Sequence, residues 1–537
     1  MIGTNSWKKY KSYLLIFILS ILIVLIIFDF NLNYLSTPDE QLSQYSVLNL
    51  NNFSNLHKED LLNRDYATCI FSTYSLSQIE ANTYPNFPSS EIIFYLPFAI
   101  IFKNNFLLYT SYLFAILNSI LIYIIVRNLT SKEYPGILAM MIFVLSPSFL
   151  KWSIGSLNIV PALFFFLTLV YFLFCYKGIY KFLLVGLAFC ILLTIRPTEI
   201  LFIIPIIIVM YLKKANKKDY KLFLFPILLF ILTTFLGNEL FFHNLFNFPQ
   251  LYGGNYPCLE NKIVDNFITR LISYFEFSPR AIYFHINFSL FKSSFAFPLF
   301  WPSLIFSLLL YKRNREFVIY LWLILAVLII TYGRGIENYY GFGQENLQSS
   351  FIRYLFYFFG LLSIAFGFYI EEFLSKIKKY QKEIFIIFIV MLLVLSILYT
   401  YNYSLNGIRD YNKKRTYQKD TQIKLYNNLD SKDIVITDIY TSKLIRIDSD
   451  IPQIQFDEPL AYYDYNKSIN EFNSVLSRIV EDNKSVKFLG QRKYNNTEDL
   501  IFYLQNNYDL YLKDSYIDGL IELYNINKKT NSQSLVA

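Results

Sequence analysis

The chain has 537 residues, 55% of them hydrophobic, 19% aromatic and only 16% charged, with a net charge of +8. Soluble globular proteins carry roughly 25% charged residues, so this composition excludes an ordinary soluble domain and points to a protein built for a bilayer. The excess Lys and Arg fall in short segments between apolar runs, as positive-inside topology requires, which argues against a nucleic-acid surface. Three widely separated histidines, and four cysteines (Cys69, Cys175, Cys190, Cys258) without a CxxC pair, argue against a zinc enzyme. Cys175 and Cys190 lie in apolar runs and read as packing residues.

Lys8, Lys9 and Lys11 precede an apolar run, Tyr13–Phe30. The run is long for a signal peptide and no small-residue cleavage site follows, so it reads as a retained signal anchor. Directly after it comes Leu35-Ser36-Thr37-Pro38-Asp39-Glu40, which places two adjacent carboxylates close to a bilayer surface. The plain alternative is a solvated loop start. The polar loop 31–90 is too long for a simple connector. It ends in Tyr84-Pro85-Asn86-Phe87-Pro88-Ser89-Ser90-Glu91 and leads into a short apolar run, Ile92–Phe102.

Further predicted spans are Phe106–Arg127, Pro135–Leu150, Ile159–Tyr176, Phe182–Ile195, Thr198–Leu212, Leu222–Gly237, Phe295–Tyr311, Phe317–Tyr332, Phe351–Tyr369 and Ile384–Tyr401. The short run decides the topology. If Ile92–Phe102 crossed, Lys213-Lys214-Ala215-Asn216-Lys217-Lys218 would face outward, against the positive-inside rule. About 11 residues is also short for a crossing. Taken as a juxtamembrane helix over 91–103, it leaves about 11 transmembrane helices, with the N-terminus inside and the C-terminus outside. Arg127, Lys132, Lys177, Lys181, Lys213–Lys221, Lys312–Arg315 and Lys376–Lys382 then share the cytoplasmic side. The outer side carries loop 31–90, Lys151–Asn158, Arg196-Pro197-Thr198-Glu199, loop 238–291 and Gly333–Ser350. The outer loops are long, aromatic and of mixed charge, so the chemistry is expected there. Tyr252, Tyr256, Glu276, Arg280 and His285 lie in loop 238–291, where aromatics stack on a sugar or seat the acceptor, or else form an interfacial belt or loop core.

Residues 1–402 thus form a transmembrane domain and residues 403–537 a separate, polar one. Asp433–Asp438 reads as a buried strand. Lys443–Ile447, Val486–Leu489, Tyr508–Leu512 and Leu520–Ile526 read as further strands, and Ser468–Val480 as an amphipathic helix. The expectation is a small C-terminal α/β extracytoplasmic domain with a structural or acceptor-positioning role. The fold class is therefore a polytopic α-helical membrane protein with an α/β appendage.

Several short matches give the chain a resemblance to the GT-C superfamily, the polyprenyl-phosphate-sugar glycosyltransferases of the protein O-mannosyltransferase and aminoarabinose transferase type. They are Pro38-Asp39-Glu40 after the first span, Tyr84–Pro88, and Ser146-Pro147-Ser148-Phe149-Leu150 through Gly155-Ser156-Leu157-Asn158. Arg196-Pro197-Thr198, Arg353-Tyr354, and His243–Pro249 followed by Tyr252-Gly253-Gly254 complete the set. The resemblance implies that Asp39 is the catalytic carboxylate. Many members have Asp where this chain has Asn158, and a neutral amide is a poorer ligand for a hard divalent cation. No metal ligand and no certain cofactor is assigned, and a divalent metal remains open.

Transfer from a lipid phosphate needs a base for the acceptor proton, fixed cations for the leaving phosphate and an apolar groove for the lipid. Phosphate departs as a stable anion, so one carboxylate suffices. Asp39 is assigned as base with Glu40 as second choice. Arg196 and Arg353 are the phosphate candidates, with Lys151 third, because a guanidinium fork matches phosphate. The alternative for either Arg is a lipid headgroup or pairing with Glu199 or Glu239. Asn158, Tyr252 and Tyr354 are candidate substrate contacts. The expected activity is inverting transfer from a polyprenyl- or dolichyl-phosphate sugar to a protein, lipid or envelope-glycan acceptor, in a prokaryotic plasma membrane and without nucleic acid. A transporter or flippase, or an envelope-glycan polymerase or ligase, is the competing reading.

Overall fold

The computed structural model describes residues 89–154, 158–242, 299–332, 353–376, 408–438, 465–491, 495–516 and 519–529, with short strands and isolated residues elsewhere. The predicted first span, Asp39, Glu40, Tyr252, Cys69 and Cys258 lie outside the described residues, and of Ile384–Tyr401 only isolated positions fall within them. The chain divides into two compact units. One comprises Met1–Asn31, Ser89–Phe246 and Phe267–Asn412, the other Leu32–Pro88, Asn247–Asn266 and Lys413–Ala537.

The first unit is helical. In chain order its described helices are α1 (Ser89–Phe102), α2 (Phe106–Thr130), α3 (Glu133–Val144), α4 (Pro147–Ile154), α5 (Ile159–Phe174) and α6 (Lys181–Ile195). There follow α7 (Ile203–Leu212), α8 (Lys217–Phe242), α9 (Phe300–Leu309), α10 (Arg315–Tyr332) and α11 (Phe356–Lys376). Among the described residues, three stretches are long and apolar enough to cross a membrane, Ile93–Thr130 (which holds most of α1 and all of α2), Lys217–Gly237 and Phe356–Phe373, and five further apolar helices are shorter. The apolar sequence leaves no amphipathic stripe because most of these helices are buried on several sides. Phe143, Phe166, Phe189, Leu163, Tyr320 and Tyr357 are fully inside.

Two of the predicted spans are broken. Pro135–Leu150 divides into α3 and α4, with Ser146 and Pro147 at the joint. Pro147 is tolerated at the first position of the new helix but could not continue the old one. Thr198–Leu212 starts as a 3₁₀ helix, Pro197–Phe202, before becoming α7. The short run before α2 is helical, and it folds back along the first half of α2. Phe102 meets Tyr109 at 5.4 Å, and Phe98 and Phe94 meet Phe114 at 5.8 and 6.0 Å.

One end of the bundle is held by a single carboxylate. Glu371 Oε1 accepts from Lys132 Nζ at 2.7 Å and Glu371 Oε2 from Arg313 Nη1 at 2.8 Å. The Arg313 guanidinium also lies 4.7 Å from the Phe368 ring centre. The α2–α3 turn, the α9–α10 turn and the last turns of α11 therefore share one end, as the basic loops predicted. Tyr354, at the start of α11, lies 17 residues before Glu371, roughly 25 Å away at 1.5 Å per residue.

The second unit contains a small antiparallel sheet, β1 (Lys58–Glu59), β3 (Asn82–Pro85), β2 (Leu76–Ile79) in that order. It also contains an α/β fold. Helix α12 (Ile408–Tyr426), β4 (Ile434–Thr437), β5 (Gln453–Gln455), α13 (Tyr465–Glu481), β6 (Val486–Gln491), α14 (Asn495–Asn507), β7 (Tyr508–Tyr516) and β8 (Ile521–Lys528) follow one another. The sheet order is β5-β4-β6-β8-β7, parallel across β5-β4-β6 and antiparallel across β6-β8-β7. Strand β4 is buried throughout, and its first three residues are apolar, because both faces are covered. Ile434 and Ile436 pack with Phe472, Leu476 and Leu504, while Val435 packs with Leu425 and Leu444 on the other face. Of the predicted strand Lys443–Ile447 only Leu444 and Ile445 fall within the described residues, and neither is in a strand. Leu444 and Ile445 sit in a turned segment whose apolar side chains plug that second core.

Asp433, entering β4, binds Lys487 Nζ, Ser485 Oγ at 2.5 Å and the Asp430 backbone N–H at 2.6 Å. Burial pushes its pKa up, but these hydrogen bonds and the Lys487 charge outweigh burial and hold it below the usual carboxylate value. A depressed folded-state pKa gives stability that is complete above the unfolded value of about 3.9 and is lost as pH falls through the lower folded value. In calorimetry of the whole protein, Asp433→Asn should destabilise this unit by about 3 kcal/mol near neutral pH, because Lys487 is left buried without its charge partner. The difference from wild type should shrink below about pH 4.

A Cβ at Gly367 of α11 would meet Ala139 Cβ at 2.7 Å, Pro135 O at 2.9 Å and Val126 Cγ1 at 2.9 Å. At Gly360, on the same helix, it would meet only Leu167 and Leu163 at 3.4 and 3.5 Å. Gly367→Ala should cost about 1–3 kcal/mol through overpacking, whereas Gly360→Ala should be tolerated. Thermal melts of the detergent-solubilised chain would separate the two.

Candidate active site

At the end of the bundle away from Glu371, apolar helices terminate in charged and aromatic side chains. Arg196 follows the last residue of α6 and precedes Pro197. A residue before proline is driven to extended backbone, and Arg196 has φ −141° and ψ 87°. That break turns the chain into the 3₁₀ helix, where the Glu199 N–H donates to Arg196 O at 3.1 Å. The same turn brings the side chains together, with Arg196 Nε donating to Glu199 Oε1 at 2.8 Å. Phe202, at the end of this turn, locks it in place against Tyr357 at 5.4 Å and Phe166 at 5.5 Å.

Asn158 precedes α5 in the capping position, but its side chain makes no capping bond. It reaches sideways instead. Its Oδ1 accepts from Arg196 Nη1 at 3.0 Å, and its Nδ2 donates to Glu91 Oε1 at 3.2 Å. Glu91 lies in the first turn of α1. Glu91, Arg196 and Glu199 are 4%, 9% and 1% exposed. Such burial of charge in an apolar bundle is expensive unless each group is paired, and here the pairing runs as one chain, Glu91–Asn158–Arg196–Glu199.

Tyr354 joins this chain to a second cation. Its ring centre lies 5.1 Å from the Arg196 guanidinium and 5.0 Å from that of Arg353. Arg353 Nη2 also donates to the Tyr354 hydroxyl at 3.0 Å. The Arg353 guanidinium lies 5.9 Å from the ring of Trp152 on α4. Two guanidiniums are thus held around aromatic faces, an arrangement that keeps a weakly hydrated cation in a partly apolar place.

The structure brings together Arg196, Arg353, Tyr354 and Asn158 from the sequence-derived set. Lys151 lies on α4 beside Trp152. Glu199 is the partner foreseen as the alternative for Arg196. Sequence reasoning missed Glu91 and Trp152. A carboxylate opening an apolar helix is a signal that could have found Glu91, since charge in such a place must have a partner. No group of three or more His, Cys, Asp or Glu side chains suited to a metal occurs among the described residues.

Arg196→Ala should destabilise the chain by about 3–5 kcal/mol, because it leaves Glu199 buried without its cation. Arg196→Ala combined with Glu199→Gln should cost less than the two changes summed, since they share one interaction. Thermal melts of the three variants would measure this coupling.

No protein-family model and no curated protein sequence matches the chain. Among solved structures, it is similar to ArnT from Cupriavidus metallidurans bound to undecaprenyl phosphate, with a TM-score of 0.58 and 9% identity, over 97% of this chain and 98% of that one. The apo state of ArnT gives a TM-score of 0.53 at 10% identity, over 96% and 98%. The oligosaccharyltransferase AglB from Archaeoglobus fulgidus, in complex with an inhibitory peptide and a dolichol-phosphate, gives 0.51 at 12% identity, over 99% and 75%. ArnT and AglB are GT-C proteins, and the chain shares with them, as its motifs implied, the GT-C fold.

Proposed function

We propose that this protein is an integral-membrane, inverting glycosyltransferase that moves a sugar from a polyprenyl- or dolichyl-phosphate donor to an acceptor outside the cytoplasm. It does so within an eleven-span transmembrane domain, residues 1–402, that carries an extracytoplasmic α/β domain. The observation that carries this reading is the pair of guanidiniums around Tyr354 at one end of an apolar bundle. A lipid phosphate has an anionic head and an apolar tail, and this end of the fold offers matching chemistry to both. The similar ArnT and AglB structures hold undecaprenyl phosphate and a dolichol-phosphate, which supports the same ligand class here.

In this reading Arg353 contacts the donor phosphate and Arg196 contributes a second, more deeply fixed positive charge. Together they stabilise the charge that collects on phosphate as the glycosidic C–O bond breaks. Lys151 is a further cation for the same group. Asp39 takes the proton of the acceptor nucleophile as that atom attacks the anomeric carbon from the face opposite the phosphate, and Glu40 is its alternate. Glu91 and Glu199 are poorer candidates for the base because they already accept from Asn158 and Arg196. Tyr354 and Tyr252 serve as aromatic contacts to substrate.

The test is transfer of radiolabel from a panel of polyprenyl-phosphate sugars to native acceptor extract by membranes carrying the wild type, Asp39→Asn or Arg353→Ala. Asp39→Asn should abolish transfer. Arg353→Ala should lower it by about 10²-fold or more, the scale of losing one charge-stabilising donor. Transfer undiminished in Asp39→Asn would remove Asp39 from the mechanism. Absence of transfer from every donor by folded wild type would turn the reading towards a transporter or a glycan ligase.

A further inference from the structure

Arg196 can only donate hydrogen bonds, and an ionised Glu91 can only accept them. A residue that links the two must accept on one side and donate on the other. An amide does both, whereas a carboxylate and an ammonium each do one. Asn158 has the amide orientation that satisfies both neighbours, with Oδ1 towards Arg196 Nη1 and Nδ2 towards Glu91 Oε1.

The resembled family commonly carries an Asp at this position, where a hard divalent cation could bind. The residues here do not fit one. Hard cations take oxygen ligands and favour carboxylates over a neutral amide. The oxygen of Asn158 already faces a guanidinium at 3.0 Å, so a divalent ion at that oxygen would sit against a fixed positive charge. The amide nitrogen has no lone pair to offer on the Glu91 side. Arg196 itself is met by the buried carboxylate of Glu199, as buried charge must be.

We propose that Arg196 is the resident cation of this site in place of a metal, and that Glu91, Asn158 and Glu199 are positioning residues that hold it, with Tyr354 carrying that placement to Arg353. The cation's service to a lipid phosphate rests on the glycosyltransferase reading above. The hydrogen-bond logic of the positioning set does not.

The decisive experiment exchanges donor and acceptor along the chain. Asn158→Asp places a carboxylate against Glu91, and Glu91→Gln alone keeps an acceptor for the Asn158 amide but removes a carboxylate charge from beside the Arg196 chain. Each single variant of the full chain should melt several degrees below wild type. The double variant Glu91→Gln with Asn158→Asp rebuilds the chain in reverse, with Gln donating to Asp and Asp accepting from Arg196. It should recover most of the lost melting temperature. A double variant that melts as low as the sum of the singles overturns the positioning set, because mere packing damage adds.

A second arm reads the cation. Wild-type protein in nanodiscs should bind undecaprenyl phosphate within about twofold equally in EDTA and in Mn²⁺, and Arg196→Lys should weaken that binding by about tenfold by removing the fork. Binding that requires Mn²⁺ overturns the resident-cation assignment. Wild type that binds the lipid phosphate under neither condition overturns both the lipid-phosphate reading and the service assigned to the cation, while the exchange experiment still decides the positioning set.

Discussion

A charge buried where water does not reach must find its opposite within hydrogen-bond distance, and the site end of this bundle is arranged around that requirement for Arg196. Its guanidinium lies between a carboxylate three residues along the chain and an amide 38 residues before it. The elements that present these partners are fixed by apolar contacts that carry no chemistry of their own. Phe202 against Tyr357 and Phe166 sets the 3₁₀ turn, and Phe356 against Phe143 and Phe149 sets the start of α11. The aromatic abundance of the sequence therefore has a local use beyond interfacial belts. It fixes the rotational setting of helices whose polar ends must meet.

The α/β unit solves a similar problem with different means. Its central strand is covered on both faces, so the charged residue that opens it, Asp433, cannot remain in water. It is met by Lys487 on the neighbouring strand, by a hydroxyl and by a backbone N–H. Asp438, at the other end of the same strand, is fully buried and accepts from Thr441 N–H at 2.7 Å and from Gln491 N–H at 2.8 Å. Both ends of β4 are thus tied by carboxylates to the segments beside them, which fixes its register against β6 more firmly than four short residues of ladder would.

Much of this was legible in the sequence. Long apolar runs bounded by Lys and Arg announce helices, and Val486–Leu489, Tyr508–Leu512 and Leu520–Ile526 announce strands by their β-branched and aromatic content. Arg196, Arg353 and Asn158 stood out as polar residues at the ends of apolar runs, and the fold brings them together. What the sequence could not show was three-dimensional pairing. Glu91 and Asn158 are 67 residues apart, and no periodicity relates them. The splitting of Pro135–Leu150 was hidden because its hydropathy is continuous across the joint, although Ser146-Pro147 marks the place. Leu444 and Ile445, read as part of a strand from their composition, instead plug a core built by others. Asn495–Asn507, rich in Asn, lacks the propensity of a helix and becomes one because Leu500 and Leu504 find an apolar face to cover.

The clasp on Glu371 also bears on the order of events during synthesis. Lys132 and Glu371 are 239 positions apart in the chain, and Arg313 and Glu371 are 58 apart. Neither ion pair can exist until α11 has left the ribosome. Until then Lys132 and Arg313 stand in short turns without the carboxylate that joins them in the finished fold. Once α11 arrives, Glu371 pairs with both, so one carboxylate fastens two turns that were made well before it. The clasp is therefore a late contact, one that closes only around turns already made.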